Sequence, residues 1–388
     1  MISNFNYNTP TKLVFGKGVI KDLPKTLEKY GKNVLLTYGG GSIKKIGLYD
    51  EIKDLLKDFN VVELSGIEPN PKYDPSVIDG ARLCKENNID VILAVGGGSV
   101  LDCSKAISVC ALYDGEGWDI ISGKVIAKKA IPMVDILTLA ATGSEYDSGA
   151  VISNTALNDK RGYGSDLVFP KVSFLDPRYT FSVSKWQTAS GSSDAINHVL
   201  EQFFSESSSL FNDSIMTSAI RSLMVNCKIA LEEPDNYEAR SELMYVCSLA
   251  CNGILSNGCM PSGWPMHSIE HALSAFFDIT HGAGLAIITP AWMKEILSER
   301  TLNRFKVLGK NLFNLEVNTI EDAKLVIDEF YKFFKSIGIS MHLGDLGVKE
   351  DKIEEMADHI LKNDPTVGDY MYVNLDKDAI IRILKASM

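Results

Sequence analysis

Short β-branched runs alternate with helix-period segments through the first half of the chain. KNVLLTY (32–38) predicts a strand, followed by GGGS and one helix over SIKKIGLYDEIKDLLKDF (42–59). VVELSGI (61–67) predicts a second strand. A Pro-rich turn, a helix over SVIDGARLCKENN (76–88) and a strand over IDVILAV (89–95) follow. That strand also runs into GGGS, then into a helix over VLDCSKAISVCALY (100–113). IPMVDILTLA (131–140) predicts a further strand. Such alternation implies a parallel sheet covered by helices. From about Lys185 the period changes. Apolar residues recur at i, i+3, i+4 in SSDAINHVLEQFF, SIMTSAIRSLMVNCKIALEE, ARSELMYVCSLACNGIL and TIEDAKLVIDEFYKFFKSI, and β-rich runs nearly vanish. The expected architecture is an α/β domain over residues 1–182 and an all-helical domain over 183–388. The boundary falls near LDPRYTFSVSKW, where Pro177 and a Ser-rich stretch interrupt both patterns. The mixed-charge runs KEDKIEEMADH and ILSERTLNRFK are expected to be solvated helix faces.

Length adds that two cores are feasible in 388 residues. A net charge of −11 argues against nucleic acid or an anionic membrane surface as a main partner. The seven cysteines are odd in number, lack a CxxC and sit in apolar segments, so buried reduced thiols are expected. MISNFNYNTPTKLVF has no basic start followed by an apolar run, and no stretch approaches the ~20 apolar residues of a membrane span. A cytoplasmic location is expected.

The six histidines carry the most specific signal. Asp194 and His198 lie four residues apart, which stacks them on one helix face. His267 and His271 repeat the spacing, and His281 follows in DITHGAG, where glycine suggests a helix end. One carboxylate with three imidazoles (Asp194, His198, His267, His281) suits Fe²⁺ or Zn²⁺ and leaves a position open for substrate. Each of these residues taken singly is also an ordinary helix residue. His342 and His359 lie in polar contexts and are expected at the surface.

Gly96-Gly97-Gly98-Ser99 after a strand, opening a helix, offers close backbone approach and unpaired N–H groups to a pyrophosphate. A tight strand–helix turn without ligand has the same pattern. The segment is neither G-x-G-x-x-G nor a Walker loop. Thr138, Thr142 and Ser144 form a hydroxyl cluster after the 131–140 strand, equally compatible with an ordinary turn. The earlier turn, Tyr38-Gly39-Gly40-Gly41-Ser42, has no carboxylate to bind a ribose 2′-hydroxyl, and Lys44 and Lys45 follow. That admits NADP(H), unless both lysines simply face solvent. Ile254, Met260, Trp264 and Pro265 precede His267 and are either pocket walls or core.

The chain resembles the iron-containing alcohol dehydrogenases, in particular their NADPH-preferring butanol dehydrogenase branch. The resemblance runs nearly end to end. It is carried by Phe15-Gly16-Lys17-Gly18, Glu68-Pro69-Asn70-Pro71, GGGSVLDCSK (96–105), ATGSE (141–145), the DxxxH at 194–198 and HSIEHALSAFFDITHGAGLA (267–286). It implies a dinucleotide-binding α/β domain followed by a helical metal-binding domain. Asp194, His198, His267 and His281 match metal ligands, and His271 matches a histidine near the nicotinamide that could relay a proton. Gly97, Gly98, Ser99, Asp102, Thr138, Leu139, Thr142 and Lys160 match cofactor contacts. Gly39 and Ser42 fall at the ribose-phosphate end, and Tyr179 is similar to a residue on the nicotinamide side. Ala140-Ala141 stand where the family often has a threonine. The implied reaction is reversible hydride exchange between NADP(H) and a primary alcohol or aldehyde, with the metal as Lewis acid, in a homodimer. NAD(H), a diol or glycerol-like substrate, and a dehydroquinate synthase-like lyase are the alternatives. The lyase is disfavoured because 187–204 and 254–286 contain no Lys or Arg for a sugar phosphate.

Overall fold

Six short runs with the strand period assemble into one all-parallel sheet. They are β1 (Lys12–Phe15), β2 (Asn33–Tyr38), β3 (Asn60–Leu64), β4 (Val91–Gly96), β5 (Met133–Leu137) and β8 (Val172–Leu175), in the order β1-β8-β5-β4-β2-β3. A separate antiparallel hairpin pairs β6 (Gly149–Asn154) with β7 (Asp159–Gly164). This is a computed structural model, describing residues 2–207, 209–369 and 371–388.

The strands are apolar almost throughout because both faces of the sheet are covered. Val34, Leu36, Val91, Leu93, Val134 and Ile136 pack on one face with α1 (Leu23–Leu27), α2 (Ser42–Lys45) and α3 (Leu48–Leu55). Leu35, Ile92, Ala94, Met133 and Leu137 pack on the other, with α4 (Ile78–Glu86), α5 (Gly98–Cys110) and α6 (Gly117–Ile121). The single helix expected over 42–59 is broken, because Gly47 turns left-handed (φ 76°) and separates α2 from α3. The hairpin and β1 escape a periodicity reading. DKRGYG holds two glycines and no apolar alternation, and β1 is a four-residue edge strand.

The chain forms two compact units, residues 8–183 with 234–244, and residues 1–7, 184–233 and 245–388. The second is helical: α7 (Lys185–Phe203), α8 (Leu210–Glu232), the latter part of α9 (Tyr237–Ala250), α10 (Pro265–Phe277), α11 (His281–Ile296), α12 (Leu302–Leu308), α13 (Ile320–Ser336), α14 (Ile353–Asn363) and α15 (Lys377–Ala386). The expected solvated face at ILSERTLNRFK is corrected at Arg304, which is buried. Its guanidinium donates to the Phe203 carbonyl (2.6 Å) and Asp213 (2.9 Å) and lies over the Phe203 ring. No helix among the described residues is long and apolar enough to cross a membrane.

Candidate functional site

Helix α7 starts cleanly, with the Ser184 hydroxyl accepting the Gln187 N–H, and runs long enough to bury Asp194 and His198 on one face. Helix α10 begins with Pro265 at its first turn, which sets His267 inside the helical unit. His281 opens α11. The glycines read as a helix end are instead helical: Asp278, left-handed at φ 50°, terminates α10. A side chain at Gly282 would strike the Ser190 carbonyl, so this glycine permits close approach of α11 to α7.

The four side chains converge. Asp194 Oδ1 lies 3.4 Å from His198 Nε2, 3.7 Å from His267 Nε2 and 3.7 Å from His281 Nε2. The His198 and His267 rings stack at 4.7 Å, and the His267 and His281 centroids are 5.3 Å apart. Asp194 Oδ1 and His267 Nε2 are buried without a hydrogen-bond partner. Buried polar atoms are rarely left so. The nearness of several such donor atoms fits a cation, and the ligand atoms of Asp194, His267 and His281 lie within 4.8 Å of one another. His271, one turn beyond His267, sits with its ring 5.6 Å from His281.

The electrostatics pull the clustered groups in opposite directions. Burial raises the Asp194 carboxyl, but the surrounding imidazoles outweigh it and hold the group well below the usual carboxylate range. Burial pushes the His198 imidazole down to about 3. His267 is driven up to about 10, because the Glu201 and Asp194 carboxylates overcome its burial.

The other unit holds the glycine turn. α5 begins at Gly98 with no side chain capping it; the Val100 and Leu101 N–H groups turn back to the Gly97 carbonyl, which leaves the Gly98 and Ser99 N–H groups at the positive end of a 13-residue helix. A Cβ on Gly98 would sit 2.5 Å from Thr142 Oγ1, and one on Gly97 would sit 3.0 Å from Leu139 Cβ. Gly97, Gly98, Ser99, Leu139 and Thr142 are therefore together, and the Thr138 N–H donates to the Gly96 carbonyl at 2.9 Å. Asp102, on α5, turns its carboxylate to the Ser144 hydroxyl (2.7 Å) and the Val151 N–H (2.9 Å). Burial pushes it up to about 6. Lys160, on β7, donates to Asn70 (3.0 Å). Gly39 and Ser42 flank the turn after β2. Tyr179 packs its ring on the sheet face of α1–α3. Lys105, fully buried, donates to Asp147 (2.7 Å) and the Gly149 carbonyl, bracing the 147–149 segment.

Comparison with known proteins is decisive at this point. The profile described as "Iron-containing alcohol dehydrogenase" matches residues 10–177, and "Fe-containing alcohol dehydrogenase family, C-terminal" matches 188–388. The chain belongs to the iron-containing alcohol dehydrogenase family. It is 44% identical to NADH-dependent butanol dehydrogenase A of Clostridium acetobutylicum, over 99% of each chain. It is 36% identical to NADPH-dependent aldehyde reductase YqhD of Escherichia coli, over 97% of each. The crystal structure of NADH-dependent butanol dehydrogenase A from Thermotoga maritima superposes with a TM-score of 0.95 at 38% identity, covering 100% of this chain and 99% of that one. As a member of this family the protein is an oxidoreductase that uses a nicotinamide cofactor and a metal ion, and the donor set at Asp194 fits the latter.

Two site residues were not singled out from the sequence of this alcohol dehydrogenase. Glu201 and Glu270 are fully buried carboxylates that accept from His267 Nδ1 and His281 Nδ1 respectively. Both stand three residues after a candidate ligand inside an apolar helix, and that was the available signal. Trp264 was expected as either a pocket wall or a core residue. Left-handed at φ 47°, it presents its indole edge to His198 (6.0 Å) and His267 (5.4 Å). Among the other residues named, Ile254 is 37% exposed and Pro265 is buried. The described cysteines form no disulfide. His342 is exposed, and His359 is half-buried against Phe276.

Proposed function

We propose that this enzyme interconverts primary aliphatic alcohols and aldehydes, such as butanol and butanal, by hydride exchange with NADP(H) at one Fe²⁺ or Zn²⁺. The observation that carries the proposal is the meeting of one carboxylate and three imidazoles around Asp194 Oδ1. Asp194, His198, His267 and His281 would hold the ion, which when bound supplies Lewis acidity toward a substrate oxygen. A bound nicotinamide would supply the hydride donor or acceptor. The α5 N–H groups bind the pyrophosphate, and Gly97 and Gly98 keep that surface clear of side chains. Thr138, Leu139, Thr142, Ser99, Asp102 and Lys160 order the cofactor and its loops, with Gly39 and Ser42 at the ribose end and Tyr179 toward the nicotinamide. His271 carries the proton that an aldehyde oxygen gains on reduction, since an imidazole exchanges protons near neutral pH. Relatives named butanol dehydrogenase and aldehyde reductase support this substrate class. A cytoplasmic homodimer, with domains at 1–182 and 183–388, completes the proposal.

NADP(H) is favoured by the carboxylate-free Gly39–Ser42 turn. Glu63, on the adjacent strand, is committed to Tyr38, Tyr49 and Lys53, and the Lys44 ammonium stands over the Tyr38 and Tyr49 rings. A second proposal is NAD(H), because the relatives at 44% and 41% identity from Clostridium acetobutylicum are named NADH-dependent. Butanal reduction by metal-analysed protein with each nucleotide separates the two. A tenfold preference for NADH in kcat/KM would overturn the NADP(H) assignment, and absence of turnover with any aldehyde despite bound metal would overturn the function.

A further inference from the structure

We propose that Glu201 and Glu270 are positioning residues that fix the orientation of two metal-site histidines and strengthen their hold on the cation. The inference rests on the metal site proposed above. Both carboxylates are completely removed from solvent. An ionised carboxylate so buried costs several kcal/mol unless it is partnered. Each partner is the imidazole of a candidate ligand: Glu201 Oε2 with His267 Nδ1, and Glu270 Oε2 with His281 Nδ1. An N–H at Nδ1 directed to a carboxylate leaves the lone pair on Nε2, and in both residues Nε2 is the atom that faces Asp194 Oδ1.

The two carboxylates differ in what else they hold. Glu201 Oε1 also accepts the N–H groups of Met266 (2.6 Å) and His267 (3.2 Å), tying the start of α10 to α7. Glu270 also accepts the Ser274 hydroxyl, one turn along its own helix. His198 has no such partner. Its Nδ1 is buried without a hydrogen bond, and its ring is held by stacking on His267 and by the Trp264 edge. Two of the three imidazoles are thus oriented by a carboxylate, while the third is oriented by packing.

The test uses the full chain, Glu201→Gln and Glu270→Gln, both near-isosteric. Zinc dissociation constants come from chelator competition on metal-stripped protein. Imidazole Nδ1–H resonances are read in the zinc-loaded, ¹⁵N-histidine-labelled protein. Each variant is expected to raise the Kd about 10–100-fold. Glu270→Gln should move the His281 proton signal and spare that of His267, and Glu201→Gln should do the reverse. Kd values within threefold of the unaltered chain would overturn the inference. So would weakened binding with both proton signals unmoved, which would mark a packing effect. Failure of the unaltered chain to bind zinc would overturn the metal site itself, and the inference with it.

Discussion

The proposed metal cage and the glycine turn are built by opposite means. The cage is made of side chains brought from three helices, and its quality depends on which atoms are present. The turn is made of backbone N–H groups and of side chains that are missing, since a Cβ at Gly98 would displace Thr142. Removing an imidazole deletes a donor, whereas adding a methyl blocks a surface. Damage to one should therefore leave the other's ligand bound.

The largest separation is expected from His267→Ala. Turnover should fall about a thousandfold or more, several kcal/mol of lost transition-state stabilisation, while NADPH affinity by fluorescence titration stays within threefold. Equal loss of both would break the contrast. A smaller effect belongs to Asp102, whose carboxyl in the folded chain stands at about 6, above its unfolded value of roughly 3.9. Its stabilising contribution is complete below about pH 4 and is lost as pH rises through 6. Relative to Asp102→Asn, the unaltered protein should lose about 2 kcal/mol between pH 4 and pH 7 in urea unfolding. A difference independent of pH would contradict the burial assigned to this carboxylate. On the turn itself, Gly98→Ala should raise the nicotinamide KM about tenfold, roughly 1.4 kcal/mol, with metal content unchanged, and adding Thr142→Ala should restore part of it. The mildest change concerns Trp264, whose indole edge faces His198 and His267. Binding of Co²⁺ should quench its fluorescence, and Trp264→Phe should abolish that quench while altering metal affinity less than tenfold.

Legibility in the sequence follows the same division. Histidine is rare in this chain, so pairs at i, i+4 in apolar helices stand out, and the structure brings Asp194, His198, His267 and His281 together. The central strands were legible because covering both faces leaves β-branched runs. Less was readable where backbone geometry decides. Gly47 breaks a helix that the apolar pattern carries through, and Gly282 serves helix contact where it suggests a stop. Arg304 reads as a solvated charge and Glu201 and Glu270 carry no signal of their own, because composition cannot show a buried partner; each is paired across long sequence separations or within the cage.

The central claim is that activity requires one cation held by Asp194 and three imidazoles. Anaerobic titration of metal-stripped protein with Fe²⁺, following butanal reduction, tests it most directly. Activity should rise linearly and stop at one ion per chain, and the same titration of His267→Ala should give no rise. Full turnover by His267→Ala protein shown to contain no metal would contradict it.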